Sequence, residues 1–392
     1  MSVVVGAAIS TLQDPLEAGI DAAQRVAGML MRKSADLALV FASGRHLVAP
    51  EALLDGVHGV LAPAALIGCG AGGVLGPACE LESGTAVAVW AASFGGAGTA
   101  QPFHASLDAE GTDAGIDGLP ALAGATGAIM LSDPYSFPTD AALAALTSRS
   151  PAVPVLGGIA SARADDGSSA ALFLGERLCA DGAVGVSLHG VEMLPCVSQG
   201  AAPLGREVTI TSAQGNVIHE LAGRPAVETV EHIIGELSPR ERALVAAGLL
   251  IGIVIDGGKP EYEQGDFLVR GVLGADRDSG SLVVGASVHE GQVVRLHARD
   301  AKSADADLTR SLQLRVEAMA GQPPAGALVF SCNGRGRAMF GAPDHDALTV
   351  HRELGGAPAA GFFAAGEIGP VGGRTFLHGF TATLAVFPGQ SG

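Results

Sequence analysis

The stretch DLALVFASGR, residues 36–45, decides the fold because a short apolar run ends there in a polar turn. An apolar run of this length between polar residues is typical of a buried strand. Residues 50–60 then show helical spacing, and residues 64–67 form a second apolar run. A glycine-rich turn at 68–73 precedes a third apolar run at 85–91. The segment therefore predicts strand, polar turn, helix, strand, glycine turn and strand.

The same order of elements recurs twice further along the chain. The corresponding apolar runs are Gly127–Leu131, Val153–Leu156 and Ala183–Leu188 in the second copy, and Ala327–Phe330, Gly361–Ala365 and Phe376–Phe387 in the third. A weaker fourth copy is predicted at Leu249–Ile255 and Phe267–Gly271. The recurrence predicts an internal duplication.

The predicted fold class is α/β, with two related modules of mixed β-sheets covered by helices. The chain has 392 residues, and a single core stops growing at roughly 250–300 residues. We predict modules at 1–220 and 221–392, joined by a hinge at 221–227 that contains Gly and Pro.

Two helix starts and one hairpin can be placed from local signals. Asp14 before Pro15 predicts a capped helix start. Ser303 or Asp305 is predicted to cap a helix that carries apolar residues on one face. Residues 209–219 predict a hairpin around Gln214-Gly215.

Charge and cysteine content exclude several classes of protein. The formal net charge of -17, without a basic cluster, argues against nucleic-acid binding. The five cysteines form no C-x-x-C pair, so a reducing cytoplasm is expected. The histidines show no metal-binding spacing, and we expect neither a metal nor another cofactor.

We expect residues 1–10 to form a first strand and not a signal peptide, and we expect no membrane-spanning segment. Residues 1–10 lack the basic region of a signal peptide. The longest apolar run, residues 243–255, is shorter than the roughly 20 residues that cross a bilayer. We interpret it as a helix end followed by a buried strand.

Glycine turns follow the second strand in the first and third copies. Gly68–Gly73 satisfies G-x-G-x-x-G, but no amphipathic helix begins after it, as a dinucleotide site requires. A tight packing turn is the favoured interpretation. The turn of the third copy carries an acid, Glu367.

The turn Cys332-Asn333-Gly334-Arg335-Gly336 is the most informative stretch. It follows a buried strand, and ligands bind at the carboxyl ends of strands in α/β sheets. Arg335 could bind a ligand carboxylate bidentately or pair with a nearby acid. Glu367 could bind a ligand amine or form a local ion pair.

Cysteine nucleophiles are the main catalytic alternative. Cys332 would need a base, for which His378 and His345 are candidates, with Glu367 orienting it. Cys69 occupies the glycine turn of the first copy. Buried cysteines without a catalytic role are common.

We predict one ligand site where the polar turns after Phe41 and Phe330 meet the glycine turns at Gly68 and Gly366. The candidate ligand-binding residues are Ser43, Arg45, Cys69, Cys332, Asn333, Arg335, Glu367 and His378.

Three C-terminal stretches, residues 330–336, 361–370 and 376–381, resemble the C-terminal half of the FIST family. Residues 36–43, with 66–73 and 82–84, resemble its N-terminal half. The resemblance covers nearly the whole chain. It implies a sensory module proposed to bind small ligands, with amino acids and similar metabolites as candidates.

The leading expectation is a cytoplasmic small-ligand sensor in signal transduction, without catalysis. The alternative is a cysteine-dependent hydrolase or amidase that uses Cys332 and His378. A protein partner is also a candidate, because a mean hydropathy of +0.37 is high for a monomer.

Overall fold

The computed structural model describes residues 3–31, 33–107, 115–162, 171–259, 261–262 and 265–389. The described helices are α1 (Pro15–Met29), α2 (Pro50–Leu61), α3 (Thr139–Arg149), α4 (Ala226–Glu236), α5 (Pro239–Ala247), α6 (Ala301–Ala318), α7 (Arg337–Phe340) and α8 (His345–Glu353). None of these helices is long and apolar enough to cross a membrane.

Strands alternate with these helices along the chain, which confirms the α/β prediction. The strands before residue 190 are β1 (Val4–Ser10), β2 (Leu37–Ser43), β3 (Ala65–Gly70), β4 (Val74–Gly76), β5 (Cys79–Leu81), β6 (Ala86–Ser93), β7 (Thr99–Leu107), β8 (Ile116–Asp117), β9 (Gly127–Ser132), β10 (Val155–Ile159), β11 (Leu172–Leu174), β12 (Arg177–Cys179) and β13 (Ala183–His189). The remaining strands are β14 (Leu194–Gln199), β15 (Ala201–Gln214), β16 (Val217–Leu221), β17 (Arg224–Pro225), β18 (Leu249–Val254), β19 (Phe267–Asp276), β20 (Ser281–Val284), β21 (Val293–Arg299), β22 (Pro324–Cys332), β23 (Ala359–Ala364), β24 (Glu367–Val371), β25 (Arg374–His378) and β26 (Thr381–Pro388).

Local capping explains where two helices begin. Asp14 accepts a hydrogen bond from the backbone N–H of Glu17 at 2.9 Å, so the predicted start of α1 is confirmed. The predicted cap of α6 is wrong. Asp300 accepts from the N–H of Ser303 at 3.3 Å and from its hydroxyl at 2.7 Å, so the helix begins earlier.

Three repeats share one strand order. We call β2, β9 and β22 the first strands, β3, β10 and β23 the second strands, and β6, β13 and β26 the third strands. In each repeat the first strand runs parallel to the second and antiparallel to the third. The predicted fourth copy is wrong, because β18 and β19 pair antiparallel in another sheet. Duplication as the origin of the repeats stays a prediction.

A hairpin follows the second strand of each repeat and pairs with the sheet of another repeat. We call β4–β5, β11–β12 and β24–β25 the crossing hairpins. β4 pairs with β23, β24 pairs with β10, and β11 pairs with β3. The third repeat therefore has two strands, β25 and β26, where the sequence predicts one over 376–387.

The three sheets share one apolar core. Phe41, Phe330 and Phe362 meet inside it, with ring centroids 5.0–6.4 Å apart. The outer faces of the sheets pack against helices: α1 and α2 on the first sheet, α3 on the second, and α6 and α8 on the third. Each sheet is thus buried on both faces, as its apolar strands predict.

Two compact units divide the chain. The first comprises Met1–Val197, Leu308–Leu377 and Ala382–Gly392, and the second comprises Ser198–Asp307 and His378–Thr381. The second unit contains an antiparallel sheet in the order β15, β21, β18, β19, β20, β16, which closes through pairing of β15 with β16. This pairing confirms the predicted hairpin, and α5 followed by β18 confirms the interpretation of residues 243–255. The module boundary after residue 220 stays a prediction.

Three glycines fix the alignment of the repeats. Gly68, Gly157 and Gly361 lie opposite Val40, Met130 and Val329 respectively, each in the same parallel strand pair. A Cβ atom on any of them would overlap the carbonyl oxygen of that partner. The shared close approach makes these positions equivalent, and every other position of the repeats can be aligned from them.

We predict that Gly361→Ala lowers the free energy of unfolding by about 1–3 kcal/mol or more, because the core must shift to admit the methyl group. Gly59→Ala in α2 is the control: nothing lies within 4 Å of its Cβ position, and alanine favours helix by about 1 kcal/mol. Urea unfolding of both variants checks this. Equal stability of Gly361→Ala and the parent chain would contradict the alignment.

Candidate ligand-binding site

A buried ion pair lies at the carboxyl end of β22. The Nε of Arg335 donates to Oδ2 of Asp346 at 2.6 Å, and its Nη2 donates to Oδ1 at 2.9 Å. Both side chains are almost completely buried, with 0% and 1% of their surface exposed. Such a bidentate pair fixes the plane of the guanidinium.

Further partners hold the carboxylate of Asp346. The Ser331 hydroxyl donates to Oδ2 at 2.8 Å, and the His345 ring lies 3.0 Å from Oδ1. Burial alone would raise the pKa of Asp346, but the Arg335 guanidinium and these hydrogen bonds hold that pKa well below its usual range. Asp346 is therefore ionised and anchors Arg335 at neutral pH.

The Nη1 nitrogen of Arg335 takes no part in the pair with Asp346. Arg335 lies 5.2 Å from the centroid of the Phe340 ring, which stacks on His345. Its Nη1 is buried and has no hydrogen-bond partner among the described residues. Buried donors are nearly always paired in native proteins, so Nη1 marks a place where a ligand oxygen could bind.

The crossing hairpin of the first repeat holds the turn that carries Arg335. Glu82 accepts from the N–H of Arg337 at 2.8 Å, at the start of α7. Glu80 accepts from the N–H of Ala347 at 2.9 Å, and its own N–H donates to Asp344 at 2.6 Å. The two acids satisfy amides that a helix start leaves without intrahelical partners.

Glu80 titrates near neutral pH. Burial first, and also the nearby charges of Asp346 and Glu82, raise its pKa to about 7, while hydrogen bonds from the Ala347 and Asp346 amides oppose the increase. Its Oε2 has no partner among the described residues. The hairpin therefore brings a second, proton-sensitive carboxylate to the Arg335 turn.

Glu367 replaces an apolar residue of the other repeats. It lies opposite Gly158, while Val74 lies opposite Phe362 and Leu172 opposite Cys69. The partners Gly158, Phe362 and Cys69 each directly follow one of the three aligned glycines. Glu367 is therefore equivalent to Val74 and Leu172, which are buried in the apolar core. Glu367 is also without exposed surface.

Arg335 and Glu367 are close enough to interact. Burial alone would lower the pKa of Arg335. The charge and hydrogen bonds of Asp346, with smaller contributions from Cys332 and Glu367, raise this pKa above its ordinary value. The N–H of Gly334 donates to the Sγ of Cys332 at 3.4 Å. The structure thus brings together Cys332, Arg335 and Glu367 of the predicted residues.

Two of the glycine turns form hydrogen bonds with a strand of another repeat. The N–H of Phe363 donates to the carbonyl of Gly73 at 3.1 Å, and the N–H of Ile159 donates to that of Gly366 at 2.8 Å. The glycine turn that ends at Gly73 connects β3 to β4, which lies in another sheet, and no helix begins after it.

The other predicted residues have different surroundings. Ser43 donates to the carbonyl of Gly84 at 2.9 Å, and the side chain of Arg45 is exposed. Cys69 is enclosed in the apolar core, where burial raises the pKa of its thiol. Asn333 is exposed, and its N–H donates to the carbonyl of Ala364 at 2.9 Å.

His378 belongs to the second compact unit. The hydrolase alternative that combines it with Cys332 stays a prediction.

Three acids that contact Arg335 or the helix starts around it were missing from the predicted site residues: Glu80, Glu82 and Asp346. Asp346 could have been identified from the sequence, since the repeated order of elements places a helix after the Arg335 turn and Asp346 lies in the first turn of that helix, α8. Glu80 and Glu82 carried no signal of these contacts, because their partners lie more than 250 residues away in the chain.

Comparisons with known proteins assign the chain to a family. The FIST N domain matches residues 36–224, and the FIST C domain matches residues 226–370. The chain belongs to the FIST family, whose domains are associated with sensing in signal transduction.

Mycobacterial proteins resemble the chain along almost its whole length. Uncharacterized protein Rv0628c of Mycobacterium tuberculosis (strain ATCC 25618 / H37Rv) is 42% identical over 384 residues, which are 98% of this chain and 99% of the relative. Uncharacterized protein Mb0898c of Mycobacterium bovis is 40% identical over 384 residues, 98% of each chain.

We predict that Glu80 makes the protein less stable as pH rises from about 4.5 to above 7. The folded state binds the Glu80 proton more tightly than the unfolded chain in this range, so deprotonation favours unfolding. A pKa raised from 4.5 to about 7 corresponds to up to about 3 kcal/mol. Urea unfolding at pH 5 and pH 8 measures the loss.

The matched variants are Glu80→Gln and Glu192→Gln. The amide introduced by Glu80→Gln keeps an oxygen for the Ala347 N–H and should reduce the pH dependence. Glu192 is exposed, so its variant should behave like the parent chain. Identical pH profiles for Glu80→Gln and the parent would show that Glu80 does not titrate in this way.

Proposed function

We propose that the protein binds a small zwitterionic metabolite, such as an amino acid, and acts as a cytoplasmic sensor in signal transduction. The observation that carries the proposal is the buried Nη1 of Arg335, which has no partner among the described residues although Asp346 holds the rest of the guanidinium. A fixed donor in a buried position is what recognition of a carboxylate requires.

The ligand carboxylate would accept from Nη1, and the ligand amine would bind the carboxylate of Glu367. Glu367 interacts electrostatically with Arg335. It also stands where the other repeats carry Val74 and Leu172, so packing alone does not call for a carboxylate there. A buried carboxylate stabilises a fold less than a well-packed apolar side chain of similar volume does, and this cost supports a role for Glu367 in binding.

The cytoplasmic setting is supported by the cysteines. All five are present as thiols and not as disulfides, as is usual in a reducing compartment. A sensor also needs an output, and we propose that a protein partner responds to the ligand-bound state.

A thermal-shift screen of amino acids and small carboxylic acids tests binding. Ligand at about a hundredfold excess over its Kd stabilises the folded state by about 2.7 kcal/mol, which for a chain of this size raises Tm by several degrees. If no amino acid or related metabolite shifts Tm, the proposal is contradicted.

We predict that Arg335→Lys weakens binding of an amino acid by about 10–100-fold, the value of one charge-assisted hydrogen bond. Lysine keeps the positive charge beside Asp346 but lacks the planar fork that directs Nη1. Arg337→Lys is the control, because the contact of Arg337 with Glu82 uses its backbone N–H. Calorimetric titration of both variants gives the comparison.

A second variant separates binding from folding. Replacing both members of the pair, Arg335→Met with Asp346→Leu, removes the donor without leaving a buried charge alone. It should stay folded and lose binding. Unchanged affinity in this double variant would show that the ligand binds elsewhere.

A further inference from the structure

Asp133 is a buried carboxylate at the carboxyl end of β9. Its Oδ1 accepts from the N–H groups of Tyr135 and Ser136, both at 2.9 Å, and from the Ser136 hydroxyl at 2.8 Å. Its side chain has no exposed surface, and Oδ2 has no hydrogen-bond partner among the described residues. One oxygen thus holds the turn, and the other can accept from a ligand.

The alignment of the repeats gives Asp133 a defined place. It lies three residues after Met130, as Ser43 follows Val40 and Cys332 follows Val329. Alternation along a strand gives Asp133 the same face as Leu131, which belongs to the shared apolar core. Asp133 in the second repeat is therefore equivalent to Cys332 in the third repeat, the residue that lies in the same turn as Arg335.

Asp133 directly follows β9, and Glu367 begins β24 in the same sheet. Glu367 pairs with Gly158, and Gly158 pairs with Leu131 on the next strand. Two strand spacings and two residues along the strand place the Cα atoms of Asp133 and Glu367 about 12 Å apart. Both side chains extend from the same face, so a ligand with two cationic groups can bridge their carboxylates.

The surrounding charge favours such a ligand. Around Arg335 the structure gathers Glu80, Glu82, Asp346 and Glu367. The whole chain carries a formal charge of -17, which attracts cations.

We propose that the ligand is a basic amino acid, with its carboxylate on Nη1 of Arg335, its α-amine on Glu367 and its distal cationic group on Oδ2 of Asp133. The inference rests on the proposed function and specifies its ligand class. Asp133 is the specificity-determining residue, because its carboxylate is left without a cation when the ligand side chain is apolar.

Calorimetric titration with L-lysine and L-norleucine tests the inference. The two have the same carbon skeleton, and only lysine carries a terminal ammonium. The parent chain should bind lysine at least tenfold more tightly. In Asp133→Asn the amide keeps an oxygen for the 135–136 turn but removes the charge, so the preference for lysine over norleucine should disappear.

Ser136→Ala is the matched control, because it removes one contact of Oδ1 and leaves the charge of Asp133. It should keep the preference for lysine, and thermal melts of both variants establish that they are folded. Equal binding of lysine and norleucine by the parent chain would overturn the inference and leave the proposed function standing, as would an unchanged preference in Asp133→Asn. Binding of neither compound, nor of any other amino acid, would overturn both.

Discussion

The close approach of the first and second strands at Gly68, Gly157 and Gly361 constrains the rest of the first compact unit. At these positions a glycine of one strand meets a carbonyl oxygen of its parallel neighbour. A slip of one residue would turn every side chain to the opposite face of its sheet. The glycines therefore determine which residues enter the shared core and which side chains emerge at the carboxyl ends of the strands.

The residues of the candidate site are those at which the third repeat differs from the other two. Two repeats carry Val74 and Leu172 where the third carries Glu367. The third repeat also carries Arg335, locked by Asp346, after its first strand. Buried charges stabilise a fold poorly compared with well-packed apolar residues, and their concentration in the third repeat supports the proposed ligand site. The crossing hairpin of the first repeat positions them through Glu80 and Glu82.

Local patterns predicted the elements well, because strand, turn and cap signals lie within a few residues of each other. Asp14 before Pro15, the runs at 36–41 and 327–330, and the Arg335 turn are of this kind. The crossing hairpins could not be predicted, because each pairs with a strand far away in the chain, as Val74 does with Phe362. For the same reason the contacts of Glu80 could not be predicted. Asp346 could have been predicted as a partner of Arg335, because it lies in the first turn of the helix that follows the Arg335 turn.

A crystal structure of the full chain grown with L-lysine tests the central claim, that Arg335 and Asp346 form a fixed receptor for a ligand carboxylate. The account predicts a carboxylate oxygen about 3 Å from Nη1 of Arg335, with the Arg335–Asp346 pair unchanged. Lysine bound away from Arg335, or an Arg335 side chain that has left Asp346 to reach the ligand, would contradict it.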